Sequence, residues 1–313
     1  MSAHLGMIGA AALSLACVAN LPAAPAARRA QPAGLTQTAH RRDPYVGAVV
    51  AEATTGRVLF ADGAENEAYP ASVTKLMTAL IVLEDVERGK YALTDKVVAT
   101  PEAYHSEASW VGIKAGQAMT VDDLLMSLLV NSANDAAVVL AVNSVGSLGA
   151  FVARMNARAA ELGMTKTRYF NPSGLPPGRQ PQTRRPYPWK NYNVSTAADQ
   201  LKLALEVVRH AKIFRYTSAK TAAVTDGGGK ELRMLNHNRI LRMDKFHVLN
   251  PDGSEAVDGL KTGYIDAGGS SIILTGMRRG RRAVVVVLGA ASSDLREEHA
   301  SRLLADALDS LDW

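Results

Sequence analysis

Strand-forming sequence stands at both ends of this chain, and the long stretch between them reads as helix. Towards the C-terminus, Ala283 and Leu288 bracket four consecutive valines. So dense a run of β-branched residues suits a strand buried on both faces. A similar segment at 271–277 precedes it, and Arg278-Arg279-Gly280-Arg281 between them has turn composition, so the pair predicts a hairpin. Near the other end, residues 45–53 alternate as a strand does, turn at Thr54-Thr55-Gly56-Arg57 and return at 58–61. One more strand is expected over 259–264. In between, Val73, Leu76, Met77, Leu80 and Ile81 recur at helical spacing over 71–87. Further helices are expected over 121–130, 135–145, 150–163 and 195–217, and a last one over 293–311. Residues 171–193 are rich in Pro, Gly and Arg and predict a long surface loop. This order predicts an α+β fold: an antiparallel sheet built from both chain ends, with a mostly helical subdomain inserted at roughly 72–225.

Composition excludes some functions. The net charge is +5 and the basic residues come in small clusters such as Arg184-Arg185 and Arg281-Arg282. A nucleic-acid reader concentrates its charge on one face, so the pattern predicts no nucleic-acid partner. The single cysteine, Cys17, excludes an internal disulfide. It lies in a short apolar segment, 5–18, followed by Ala24-Pro25-Ala26, which reads as an export signal over 1–26 although no Lys or Arg precedes it. Lipoprotein processing at Cys17 is the alternative. An Ala- and Pro-rich linker over 27–43 leads into one folded domain, 44–313, and the mature chain is expected to hold no transmembrane segment, further domain or C-terminal anchor. The expected location is the periplasm or cell envelope.

Three short motifs carry chemistry. Ser72 and Lys75 are three residues apart at the start of a predicted helix, so they share a face. Serine needs a base to become a nucleophile, and a lysine with a lowered pKa is one. Pro70 just before them places Ser72 in the first turn, where unpaired N–H groups favour a developing negative charge. Ser132-Ala133-Asn134 lies at a junction between two helices, where a hydroxyl and an amide can both meet a substrate. Lys261-Thr262-Gly263 opens a predicted strand, with a charge and a hydroxyl for a carboxylate and a glycine that admits a close backbone. The first two motifs alone are weak signals, and the third is much rarer by chance. Together they form the known signature of class A β-lactamases and penicillin-binding proteins.

With their flanks, Pro70 to Thr78, Asn131 to Ala137, Asn171-Pro172-Ser173-Gly174-Leu175 and Val257 to Tyr264, the sequence resembles the low-molecular-mass penicillin-binding proteins, serine-type D-Ala-D-Ala carboxypeptidases. The resemblance implies a β-lactamase/transpeptidase-like fold, no cofactor, peptidoglycan stem peptides as substrate and β-lactams as covalent inhibitors. It also implies roles: Ser72 as acylated nucleophile, Lys75 as base and Ser132 as proton relay. Asn134 would hold the substrate amide, Lys261 and Thr262 the terminal carboxylate. The N–H groups of Ser72 and Tyr264, beside Gly263, would form the oxyanion hole. Ile265, Gly268 and His237 (between Asn236 and Asn238) depart from the family pattern.

Rival readings share these residues. A D,D-endopeptidase cutting cross-links would use the same site. A class A β-lactamase needs a glutamate to activate the deacylating water, and Glu161 lacks the expected Leu-Asn sequel. A non-catalytic muropeptide or β-lactam sensor would not need the complete set of side chains. A zinc carboxypeptidase is not supported, because the seven histidines include no helical i, i+4 pair.

Overall fold

The computed structural model describes residues 44–103, 109–178 and 187–311. The expected signal, linker and Cys17, and the Arg-rich part of the loop over 179–186, lie outside the described residues. Five strands form an antiparallel sheet in the order β2-β1-β9-β8-β7: β1 (Gly47–Glu52), β2 (Val58–Asp62), β7 (Val257–Ile265), β8 (Gly269–Arg278) and β9 (Arg281–Ala290). Both chain ends therefore build it, as expected.

The valine run explains itself once the sheet is in place. Along β9, Val284, Val286 and Leu288 enter a core shared with the helical region, while Ala283, Val285 and Val287 enter a second core beneath the last helix. Alternate side chains point to opposite faces, so a strand covered on both sides must be apolar at every position. The lower cover is α7 (Ser293–Leu311), which lays Ala300, Leu304, Ala307, Leu308 and Leu311 on the sheet. Each buried aliphatic side chain contributes about 1.5–3 kcal/mol.

The upper cover is α1 (Lys75–Glu87) with its neighbours α2 (Val121–Leu129), α3 (Asn134–Val145), α4 (Leu148–Glu161) and α5 (Ala197–Val207). Residues Leu76 to Leu83 of α1 are buried without interruption. A helix apolar all round is a core helix, and the first motif is thus mounted on the most constrained element of the region.

Three expectations need correction. The single helix over 195–217 is two, α5 and α6 (Ile213–Thr217), joined by tight turns. The region read as mostly helix also holds two small hairpins, β3 (Lys96–Val98) with β4 (Ala118–Thr120), and β5 (Thr221–Thr225) with β6 (Glu231–Leu235). The stretch 171–193 is not simply surface: Asn171, Ser173, Tyr187, Trp189 and Asn193 are all buried. Buried amides there supply the backbone with partners that a surface loop would take from water.

Candidate active site

Ser72 sits on a 3-10 turn, Ala71–Thr74, that runs directly into α1. The turn is closed by the Val73 N–H donating to the Pro70 carbonyl at 3.1 Å. Lys75, the first residue of α1, is fully buried, whereas Ser72 keeps part of its surface open. Their Nζ and Oγ atoms are 2.8 Å apart. Burial pushes the Lys75 pKa well below the ordinary lysine value, nearby Lys261 pushes it further, and Asp135 opposes in part. A neutral amine at hydrogen-bond distance has a lone pair for the Ser72 proton.

The amine is held from a second side. Lys75 Nζ donates to the Ser173 carbonyl at 2.7 Å. That carbonyl belongs to a turn locked by two buried asparagines. Asn171 Oδ1 accepts from the N–H groups of Ser173 (3.1 Å) and Gly174 (2.7 Å). Asn193 Nδ2 donates to the Asn171 carbonyl (3.0 Å) and to Thr74 Oγ1 (3.1 Å), and Thr78 Oγ1 donates to the Pro172 carbonyl (2.7 Å). The whole turn is thereby tied to the helix that carries Ser72 and Lys75.

β7 brings the third motif to the same place. A β-carbon built on Gly263 would lie 2.8 Å from the Pro70 oxygen and 3.0 Å from the Ser72 nitrogen. Only glycine lets the strand seat against the turn that carries Ser72, and this seats the Ser72 N–H beside the backbone leading to Tyr264. Lys261 is buried and donates to the Thr262 carbonyl at 2.9 Å. Burial, then the charge of Arg296, lowers its pKa to about 7. Thr262 is also buried, while the Tyr264 side chain is exposed.

Ser132 and Asn134 occupy the α2–α3 junction, and both are buried. Ser132 adopts a left-handed backbone, φ 60°, so the chain reverses sharply between the two helices. Asp135, next in sequence, is near enough to act on the charge of Lys75. The Asn134 N–H donates to the Ser109 carbonyl at 2.9 Å. His237 is anchored to this junction by its N–H donating to the Val130 carbonyl, 3.4 Å. Although the residue is exposed, partial withdrawal from water and the charges of Lys261, Lys75, Arg242 and Arg296 push its pKa down to about 4.

The sequence pointed to none of three further contributors. Ser173 acts through a backbone carbonyl, and although its segment, Asn171 to Leu175, helps carry the family resemblance, nothing in it marks that contact. Asp135 is fully buried and accepts from the N–H groups of Val111, Gly112, Ile113 and Ala136, which fixes the wall beside Ser132 and Asn134; burial outweighs these bonds and raises its pKa. Arg296 reaches from α7 to the Gly263 carbonyl at 3.4 Å and pairs with buried Glu297. Glu161, weighed above as a deacylating base, ends α4 with an exposed carboxylate held by Arg158. His210 Nδ1 lies 2.9 Å from Glu87, and the two other acids grouped near it, Glu84 and Glu206, are spanned by the Arg158 guanidinium at 2.8 and 2.7 Å.

Known proteins resemble this chain in sequence and in fold. A profile of the D-alanyl-D-alanine carboxypeptidase peptidases matches residues 38–292. The chain belongs to this family. A D-alanyl-D-alanine carboxypeptidase from Bacillus subtilis is 30% identical over 257 residues, covering 82% of this chain and 60% of that relative. The chain thus spans about 60% of that relative's length. Among solved structures, a peptidoglycan synthesis regulatory factor of Streptococcus pneumoniae, a penicillin-binding protein, superposes with TM-score 0.73 at 29% identity over 85% of this chain and 72% of that one. An ampicillin-bound penicillin-binding protein from Listeria monocytogenes gives 0.68 at 27% identity over 85% and 97%. The fold is that of the penicillin-binding proteins.

Proposed function

We propose that the protein is a serine-type D-alanyl-D-alanine carboxypeptidase that removes the terminal D-Ala from peptidoglycan stem peptides. The observation that carries this reading is the 2.8 Å contact between Ser72 Oγ and a buried Lys75 amine whose pKa is pushed far down. Lys75 takes the Ser72 proton as Oγ attacks the scissile carbonyl, and the N–H groups of Ser72 and Tyr264 receive the developing oxyanion. Ser132 relays the proton to the leaving D-alanine. Asn134 grips the substrate amide, while Lys261 and Thr262 hold the terminal carboxylate. Water then releases the shortened peptide from Ser72. β-Lactams, which acylate the same serine, are the expected covalent inhibitors, supported by the ampicillin-bound relative. The reading of residues 1–26 as an export signal fits a substrate outside the cytoplasm. Among the described residues no single helix is long and apolar enough to cross a membrane.

Incubation with defined muropeptides tests the reading. Conversion of pentapeptide to tetrapeptide with release of D-alanine is expected. Cleavage of cross-linked dimers with pentapeptide left intact would favour the endopeptidase instead.

A further inference from the structure

A polar cluster with no part in the reaction lies where the chain enters β7. Residues 248–256 form a small hairpin: the Ala256 N–H donates to the Val248 carbonyl at 2.9 Å, Leu249 bridges Glu255, and the chain turns over residues 250–254. Successive residues of such a hairpin face opposite ways. Val248 and Ala256 enter the core beneath the sheet, so His247 and Glu255 are turned to the outer side. Asp244 joins them from the 3-10 turn Asp244–Phe246, whose three-residue period stacks residue 244 over residue 247.

The distances within this cluster suit shared ligands and not hydrogen bonds. His247 Nε2 lies 3.7 Å from Glu255 Oε2 and 3.8 Å from Asp244 Oδ1. Both gaps are too long for a hydrogen bond. Two atoms that bind one tetrahedral zinc at about 2.1 Å lie about 3.4 Å from each other, so closing on an ion takes a few tenths of an ångström. His247 Nε2 and Glu255 Oε2 are both shut off from water and have no hydrogen-bond partner. An unmade bond at a buried polar atom is costly, and two such atoms stand together here. Glu255 is oriented from behind, because its Oε1 accepts from the Val257 N–H at 3.4 Å while Oε2 points to His247. Among the described residues no lysine or arginine pairs with Asp244 or Glu255, whereas Arg158 spans Glu84 and Glu206 near His210.

We propose that His247, Glu255 and Asp244 form a binding site for one divalent transition-metal ion of the zinc class, with water as the fourth ligand. Imidazole and carboxylate together suit zinc, while magnesium and calcium take oxygen ligands. The ion ties the 3-10 turn to the hairpin that leads into β7. Glu255 precedes Lys261 by six residues, about 20 Å of extended strand. The ion therefore braces the entry to the strand and takes no part in acyl transfer.

The test titrates the metal-free full chain with zinc chloride and reads both bound zinc and thermal unfolding. At free zinc a hundred times Kd, a site confined to the folded state raises Tm by about 5 °C. His247→Ala and Glu255→Gln are each expected to bind at least tenfold more weakly, which cuts that rise by about half or more at the same zinc concentration. Glu255→Gln keeps the shape of the side chain, and its zinc-free Tm is expected within about 2 °C of wild type, so misfolding does not mimic the loss. His210→Ala, at the other grouping of a histidine with acids, should bind as the wild type does. No zinc-dependent rise in the wild type, wild-type affinity in either His247→Ala or Glu255→Gln, or loss of the rise in His210→Ala instead, overturns the site.

Discussion

Gly174 stands so close to Ala71 that a β-carbon on it would lie 1.9 Å from the Ala71 carbonyl oxygen. Its φ of 82° is itself in the left-handed region that favours glycine. The turn that positions the Lys75 amine and the turn that carries Ser72 are thus in direct backbone contact.

Gly174→Ala is therefore expected to shift both turns. A displacement of about 1 Å between reacting groups costs roughly a hundredfold in rate. Penicillin acylation should slow by about that factor, while far-UV circular dichroism stays native. A wild-type acylation rate would show that the contact does not position the site.

The pH dependence follows from the two lysines. Lys75 must be neutral to accept a proton, and burial, which pushes its pKa well below the ordinary lysine value, favours that form. Lys261 must be charged to attract the carboxylate, and it loses its proton near pH 7. KM for peptides ending in a carboxylate should rise as pH climbs through about 7, giving an alkaline limb in kcat/KM. Arginine stays charged at every relevant pH, so Lys261→Arg should remove that limb from the pH profile even if kcat falls.

Stability and activity should move in opposite directions at Lys75. The folded-state pKa lies below the unfolded value, so folding disfavours the charged form. The penalty is complete below the folded pKa and is relieved as pH rises towards the ordinary lysine value. Lys75→Met should abolish acylation yet raise Tm by ~2 °C or more at pH 7. That gain should shrink towards pH 10, as differential scanning calorimetry across pH will report.

Asp135 anchors one wall through four backbone N–H groups, those of Val111, Gly112, Ile113 and Ala136. Asp135→Ala leaves these donors without their carboxylate and should cost about 3 kcal/mol in urea unfolding. A loss below ~0.5 kcal/mol would mean that the donors find other partners.

What the sequence disclosed depends on how far apart the interacting residues lie along the chain. Ser72 and Lys75 meet because a helical turn makes residues three apart neighbours, and that is visible in the spacing. The valine run of β9 needs no partner to be read as a doubly covered strand. Ser173, by contrast, serves Lys75 through a carbonyl, a group every residue has, across a separation of 98 residues. Arg296 approaches Gly263 from a helix whose docking is set by the second core, and its side chain had no pattern to mark it. β3 and β4, at three residues each, are too short for alternation to register. The break between α5 and α6 was hidden because apolar residues keep helical spacing across it.

In the proposed reaction Ser72, activated by Lys75, attacks an acyl carbonyl. Intact-mass analysis after incubation with penicillin, followed by peptide mapping, tests it most directly. One adduct per chain is expected, located on Ser72 and lost in both Ser72→Ala and Lys75→Ala. An adduct on another residue, or one that persists in Ser72→Ala, would contradict it.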